Sequence, residues 1–265
     1  MYQTNYHRAS TVDEAVSMIT GASEGKYVSG GMTLIATMKQ RLAAPSDLVD
    51  LRHIESMKGI QVEGRKVRIG AALTHAEVAS SAAIGVICPA LCELAGRIGD
   101  PHVRHMGTIG GSIANNDPAA DYPAAMLALN ARIVTNKREI AADDFFTGLF
   151  ETALEEGELI AAISFEAPER AGYAKFPNPA SRYAMTGVFV AKGSGGVRVA
   201  VTGAGSSGVF RQSAMEQALG ANWSPDAVTS VNVDPAALMS DLHASAEYRA
   251  NLVKVMAKRA VAAAG

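Results

Sequence analysis

Two short segments restrict this chain more than anything else in it: Ser29-Gly30-Gly31-Met32-Thr33 and Gly107-Thr108-Ile109-Gly110-Gly111-Ser112. Each joins adjacent glycines to hydroxyl side chains. The first follows a short β-type run, Tyr27-Val28-Ser29. It precedes a helical pattern with Leu34, Ile35, Met38 and Leu42 inward, Lys39 and Arg41 near the end, and Pro45 as the stop. Backbone amides at such a turn point outward and can cradle an anion, and glycines let a diphosphate approach without meeting a Cβ. The same residues also suit a tight turn capped by Thr33, and the segment alone leaves both readings open. The second segment lies in a stretch without periodicity, Gly99 to Ala120, which predicts a long irregular loop. Such loops in compact domains usually carry function, a plain surface loop being the alternative. Two hydroxyl-bearing glycine segments together point to a ligand with two phosphates.

Composition removes several classes. Lys+Arg 24 against Asp+Glu 26 gives a net charge of −2, so no basic excess addresses nucleic acid or an anionic membrane. The longest run free of Asp, Glu, Lys and Arg, Val78 to Cys92, is too short and too polar to span a bilayer, so no membrane insertion is expected. Residues 1–8 have no apolar core of a signal peptide, and a cytoplasmic location is expected. A hydrophobic share of 48% over 265 residues supports a globular chain of one large or two modest domains. Two cysteines supply neither a disulfide framework nor the four thiolates of an iron–sulfur cluster.

Periodicity predicts helices over Ser10–Thr20, Thr74–Ser80, Cys88–Ile98, Ser213–Leu219, Pro235–His243 and Ala246–Val261, and one opening at Asp121 with Pro123 in its first turn. Strands are expected at Leu48–Leu51, Val67–Ala71, Arg132–Val134 and Leu159–Phe165. Two more, Tyr183–Lys192 and Val197–Thr202, are joined by the hairpin residues Gly193-Ser194-Gly195-Gly196. Prolines and a glycine between Pro168 and Pro179 predict an irregular boundary there. The class is α+β in two parts, with the break near residue 170. Gly203-Ala204-Gly205-Ser206-Ser207-Gly208 matches G-x-G-x-x-G, but it leaves a hairpin strand and no βαβ unit follows, so a dinucleotide fold is rejected. Cys88 and Cys92 read as core thiols. Asp100, His102 and His105 fit no standard zinc spacing, so no metal is assigned to this chain. Asp121 suits a helix N-cap and a ligand role equally.

In this order and with their flanks, the two segments resemble one family. The first continues through Met38-Lys39-Gln40-Arg41-Leu42 and Pro45 to Leu48-Val49-Asp50-Leu51. The second opens with Val103-Arg104-His105-Met106 and continues through Ile113-Ala114 to Asp117-Pro118-Ala119-Ala120-Asp121-Tyr122-Pro123. Glu158-Leu159-Ile160, Gly172-Tyr173-Ala174-Lys175-Phe176 and Arg182-Tyr183-Ala184 add to the match. Together these resemble the FAD-binding medium subunit of molybdenum hydroxylases, the flavoprotein component of carbon monoxide dehydrogenase, xanthine dehydrogenase and related enzymes. The likeness covers most of the first 190 residues and is only general beyond about 200. Ser29 stands where the family has Ala, Met32 where His, Gln or Thr is common, Thr33 where Ser is usual, and His105 where Asn is usual.

The resemblance implies a p-cresol methylhydroxylase-type FAD-binding domain over residues 1–170, built of two α/β lobes (about 1–55 and 56–170). A C-terminal domain over 171–265 would add a three-stranded antiparallel sheet with helices. It implies that Ser29, Gly30, Gly31, Met32, Thr33, Thr108, Ile109, Gly110, Gly111 and Ser112 hold the FAD diphosphate. Asp121 would hold the ribityl or adenosine side, and Ile160, Lys175 and Tyr183 would line the flavin. It also implies an electron-transfer subunit. A large molybdopterin subunit would oxidise substrate, a small iron–sulfur subunit would carry [2Fe–2S] clusters, and FAD would pass electrons to an external acceptor, in a dimer of heterotrimers. The lone pair of Cys88 and Cys92 excludes the hydroxybenzoyl-CoA reductase branch, which has a cysteine-rich insert. Two other readings stand beside this one: a self-sufficient FAD-dependent oxidoreductase of the same fold, and a binding module without catalysis.

Overall fold

The computed structural model describes residues 1–264, which form four sheets with helices packed around them. The first sheet is parallel: β1 (Asn5–Arg8), β2 (Gly25–Val28) and β3 (Asp47–Asp50), in the order β1-β3-β2. Parallel neighbours need crossovers, and the helices Val12–Thr20 and Leu34–Lys39 supply them. Thr11 caps the first by accepting from the Glu14 amide. The second crossover is shorter than its periodicity predicts, and Leu42 lies beyond its end, 80% exposed. β1, which the sequence reading passes over, is a polar edge strand whose side chains are mostly exposed.

The second sheet holds β4 (Ile60–Glu63), β5 (Lys66–Gly70), β6 (Arg132–Thr135) and β7 (Glu139–Ala141). It also holds β10 (Ile160–Glu166), which follows the small hairpin of β8 (Phe146–Gly148) and β9 (Glu151–Thr152). Its order is β4-β5-β10-β6-β7, and every pairing is antiparallel. This corrects the expectation of a second α/β lobe. Its outer strands are joined as hairpins, β4 to β5 and β6 to β7, so the helices between β5 and β6 lie outside any βαβ unit.

The third sheet is β11 (Arg170–Pro177), β12 (Ala184–Gly193), β13 (Gly196–Thr202) and β14 (Phe210–Arg211), antiparallel in that order. It therefore has four strands where three are expected, the fourth being a two-residue edge. β11 also overturns the irregular boundary. Pro177 ends the strand and Pro168 precedes it, while Gly172 sits where a Cβ would lie 2.0 Å from the Ala260 carbonyl oxygen. The glycine marks close helix packing here. Pro235–His243 is likewise only a 3-10 turn over Pro235–Ala237. β12 is buried on both faces: Phe189 and Ala191 join the main core, while Val188 and Val190 pack under the helices Ser213–Ala221 and Ala246–Ala263. Period-two alternation thus ties the last sheet into one core with the second. The Gly203–Gly208 run leaves an antiparallel hairpin, as the sequence reading expects. Among the described residues no helix is long and apolar enough to cross a membrane.

Candidate ligand-binding cavity

One cavity of about 690 Å³ opens where the first two sheets meet the third, within the range of small-molecule and cofactor sites. Ser29, Gly30, Gly31, Met32, Thr33, Thr108, Gly110, Gly111, Ser112, Asp121, Ile160 and Tyr183 all line it. The segment at 29–33 sits at the C-terminal end of β2, the end at which parallel sheets receive ligands. No backbone amide from Ser29 to Leu34 donates to a backbone acceptor. Gly31 has φ +70°, a left-handed turn that a side chain would strain. Thr33 makes no side-chain cap, so its hydroxyl is not committed to the helix it precedes.

The second segment differs. Gly99–Ala120 is not an irregular loop. It contains the helices Pro101–Met106 and Ile109–Asn115, the latter capped by Thr108. The Ile109 amide donates to the Leu73 carbonyl (2.9 Å) and the Gly110 amide to that of Ala71 (2.9 Å). The Gly111 amide donates to Thr108 Oγ1 (3.1 Å) and the Ser112 amide to the Thr108 carbonyl (3.0 Å). Hence the amides from Ile109 to Ser112 are all committed, and these residues offer the cavity a hydroxyl and not their amides. The Ile109 side chain is fully buried in the core and faces away from the cavity. The close-packed glycines have a structural cause too. A Cβ on Gly30 would sit 2.1 Å from the Met106 carbonyl oxygen, and one on Gly110 would sit 2.6 Å from Ala71 Cβ. The two segments are packed on each other and on β5's end, and Thr108 Oγ1 donates to Ser29 Oγ at 3.0 Å.

Asp121 sits at the cap position of the helix Tyr122–Ala128, but its side chain makes no cap bond. It is buried, accepting from the Tyr173 hydroxyl and paired with Lys175 Nζ at 2.9 Å. Lys175 also donates to the Arg97 carbonyl (2.9 Å). Burial raises the Asp121 carboxyl's pKa against the pull of Lys175, and burial with the Asp121 charge pushes Tyr173 well above its ordinary value. Lys175 is therefore behind Asp121 and does not line the cavity. The preceding residues are pinned from the third sheet: Thr202 Oγ1 donates to the Ala120 carbonyl (2.6 Å) and the Gly203 amide to that of Pro118 (2.8 Å). The sequence reading gives no role to two residues here: Tyr173, behind Asp121, which it quotes only within the family match, and the cavity-lining His75, whose only signal is the capping box of Thr74 and Glu77 beside it.

On the opposite side, Tyr27 donates through its hydroxyl to the Gly157 carbonyl (3.0 Å). Glu158 is held by Arg138 (3.1 Å) and Thr135 (2.6 Å). Burial pushes its carboxyl up, but these partners outweigh it and set a pKa of about 2. Asp50, at the end of β3, behaves alike. Burial is opposed by hydrogen bonds from Arg52 and Tyr6, and the result is about 2. Among the described residues no group of three or more His, Cys, Asp and Glu side chains is placed to hold a metal ion.

The free amides, the hydroxyls and the volume suit a ligand with a diphosphate, such as FAD. Comparison with known proteins agrees. A family model described as the FAD binding domain in molybdopterin dehydrogenase matches residues 2–167. The chain is 33% identical to the carbon monoxide dehydrogenase medium chain of Hydrogenophaga pseudoflava, over 98% of this chain and 96% of that one. It is 31% identical to the nicotine 6-hydroxylase medium subunit of Paenarthrobacter nicotinovorans, again over 98% and 96%. In reconstituted CO dehydrogenase from Oligotropha carboxidovorans, one chain superposes with a TM-score of 0.89 at 32% identity, covering 99% of this chain and 97% of that one.

Proposed function

This chain belongs to the family of FAD-binding domains in molybdopterin dehydrogenases, and we propose that within it the chain relays electrons between an iron–sulfur partner and an external acceptor. The observation that carries this reading is the row of amides at residues 29–34 without backbone acceptors, facing the Thr108 and Ser112 hydroxyls across one cavity. That arrangement suits a diphosphate. Gly30, Gly31, Met32 and Thr33 would bind through their backbone, and Ser112 and Ser29 through their hydroxyls, with Thr108 holding that of Ser29 in place. Asp121, with its charge balanced by Lys175, would accept from a ligand hydroxyl. Ile160 and Tyr183 would pack against the flavin. Bound FAD supplies the redox chemistry, taking up two electrons and passing them on. The protein's part is to orient it, to hold its charge and to keep one edge open at Tyr183, which is 48% exposed.

The relatives' names, medium chain and medium subunit, support two partners. One is a large molybdopterin subunit where substrate is oxidised. The other is a small subunit with [2Fe–2S] clusters, which this chain's two cysteines do not supply. We place the assembly, a dimer of such heterotrimers, in the cytoplasm. We assign FAD binding to residues 1–170, with lobes about 1–55 and 56–170, and a supporting role to 171–265.

The test is Gly111→Val. Gly111 lines the cavity, and its Cβ would meet only Thr108 Oγ1, at 2.9 Å. The variant is expected to fold, by its unchanged far-UV circular dichroism, and to purify without flavin absorbance. Full flavin content in that variant would overturn the assignment of this segment. Turnover of an organic substrate by the purified chain alone would favour a self-sufficient flavoenzyme instead.

A further inference from the structure

The two cavity-lining segments touch at one seam. Gly30 packs so closely that its Cβ would lie 2.6 Å from the Gly107 Cα, and on the other side a Cβ at Gly107 would lie 2.6 Å from Nε2 of His75. Gly30, Gly107 and the His75 imidazole thus form a continuous stack. His75 starts the helix His75–Ala79, and its amide donates to the Gly107 carbonyl at 2.9 Å, which fixes the ring against the seam. The side chain is 5% exposed and lines the cavity. Its Nδ1 is sealed and has no hydrogen-bond partner. The same holds for the hydroxyl of Tyr122, whose ring lies 5.4 Å from the imidazole, centroid to centroid.

Buried polar groups without partners are rare and call for an account. An orphaned acceptor is tolerated better than an orphaned donor. That places the proton of the neutral ring on Nε2 and leaves the lone pair on Nδ1. The ring is neutral because burial and the nearby Arg104 charge hold its pKa down to about 4. Its donor therefore sits at the point where the amide-presenting segment and the hydroxyl-presenting segment meet, inside the cavity wall.

We propose that His75 is a ligand-contact residue for the diphosphate, donating from Nε2 at the seam between Gly30 and Gly107. The proposal rests on the FAD reading above and adds to it a side chain that neither glycine segment contains. His75 is also the residue that requires glycine at 107, so the seam and its donor are built together.

The test measures binding of FAD, ADP and riboflavin to flavin-free protein. ADP carries the diphosphate without the flavin, and riboflavin the flavin without phosphate. His75→Leu is expected to weaken FAD and ADP by about tenfold, the range for a hydrogen bond to a charged group, and to leave riboflavin unchanged. His75→Gln, which keeps a donor, should recover most of that loss. In the unmodified protein, the imidazole ¹⁵N shifts of His75 should move with ADP and stay still with riboflavin, a readout that needs no variant to fold. Unchanged ADP affinity in the variants, equal losses for riboflavin, or His75 shifts insensitive to ADP would each overturn the proposal. Failure of the unmodified protein to bind FAD at all would instead overturn the reading it rests on.

Discussion

The amides of residues 29–34 have no backbone acceptor, whereas those of residues 109–112 are all committed within the protein. Both segments are rich in glycine, serine and threonine, yet they do opposite work. The first wall is a loop at a strand end, supported by its parallel sheet and left free to bind. The second is a helix start pinned from beneath by residues 71–73 and, further along, by Thr202, Tyr173 and Lys175. Similar composition gives dissimilar roles because the hydrogen-bond partners come from elsewhere in the chain. It follows that removing a distant partner that pins the second wall should cost fold stability, whereas changes at cavity-facing glycines should cost ligand affinity above all.

The largest expected effect is in the second wall. Lys175→Met leaves the Asp121 carboxylate buried without its cation, a change that costs about 3–5 kcal/mol. Urea denaturation of flavin-free protein measures it, and a loss under 1 kcal/mol would break the claim that this wall is pinned through its ion pair. Acid acts on the other side. Asp50 and Glu158 flank the first wall with pKa values of about 2, below the ordinary carboxylate range. A depressed carboxyl stabilises the fold above its unfolded pKa and loses that stability as pH falls through the folded one. Between about pH 4 and pH 2 each should therefore lose on the order of 1–2 kcal/mol, allowing for screening of their half-exposed arginine partners. Asp121, raised rather than depressed, should contribute no such loss. Hydrogen exchange followed with pH should show β2 and β3 opening before the helix Tyr122–Ala128, and the reverse order would contradict the comparison. The smallest effect is Gly31→Ala. With φ +70° and Ile35 Cγ1 2.9 Å from the added Cβ, it should cost about 1 kcal/mol of stability. Its loss of FAD affinity, read by flavin fluorescence, should exceed that figure.

Much of the architecture is legible in the sequence because its signals are local. The helix Val12–Thr20 announces itself through Thr11 and Glu14, and the β12–β13 hairpin through Gly193–Gly196. The same locality explains the errors. Prolines and a glycine in 168–179 read as a break, although Gly172 is there to let the Ala260 carbonyl approach. Gly99–Ala120 reads as a loop because its helices are each under two turns and the second carries two glycines inside. Of the residues that the resemblance assigns to the ligand, Ile109 and Lys175 lie behind the cavity wall, the one in the core and the other under Asp121.

By itself, the sequence determined that two glycine–hydroxyl segments exist, that the first adjoins a helix start, that the chain carries too few thiols for a cluster, and which family it resembles. These are properties of neighbours along the chain, where spacing alone decides which groups can meet. Only the tertiary structure decided which amides remain free, that Asp121 faces Lys175 and Tyr173 instead of its own helix, and that His75 stands at the seam of the two segments. Those outcomes depend on partners far away in sequence, such as Ala71 for Gly110, Lys175 for Asp121 and Met106 for Gly30. A donor's availability is settled by whether a distant acceptor arrives, and only the folded packing determines that.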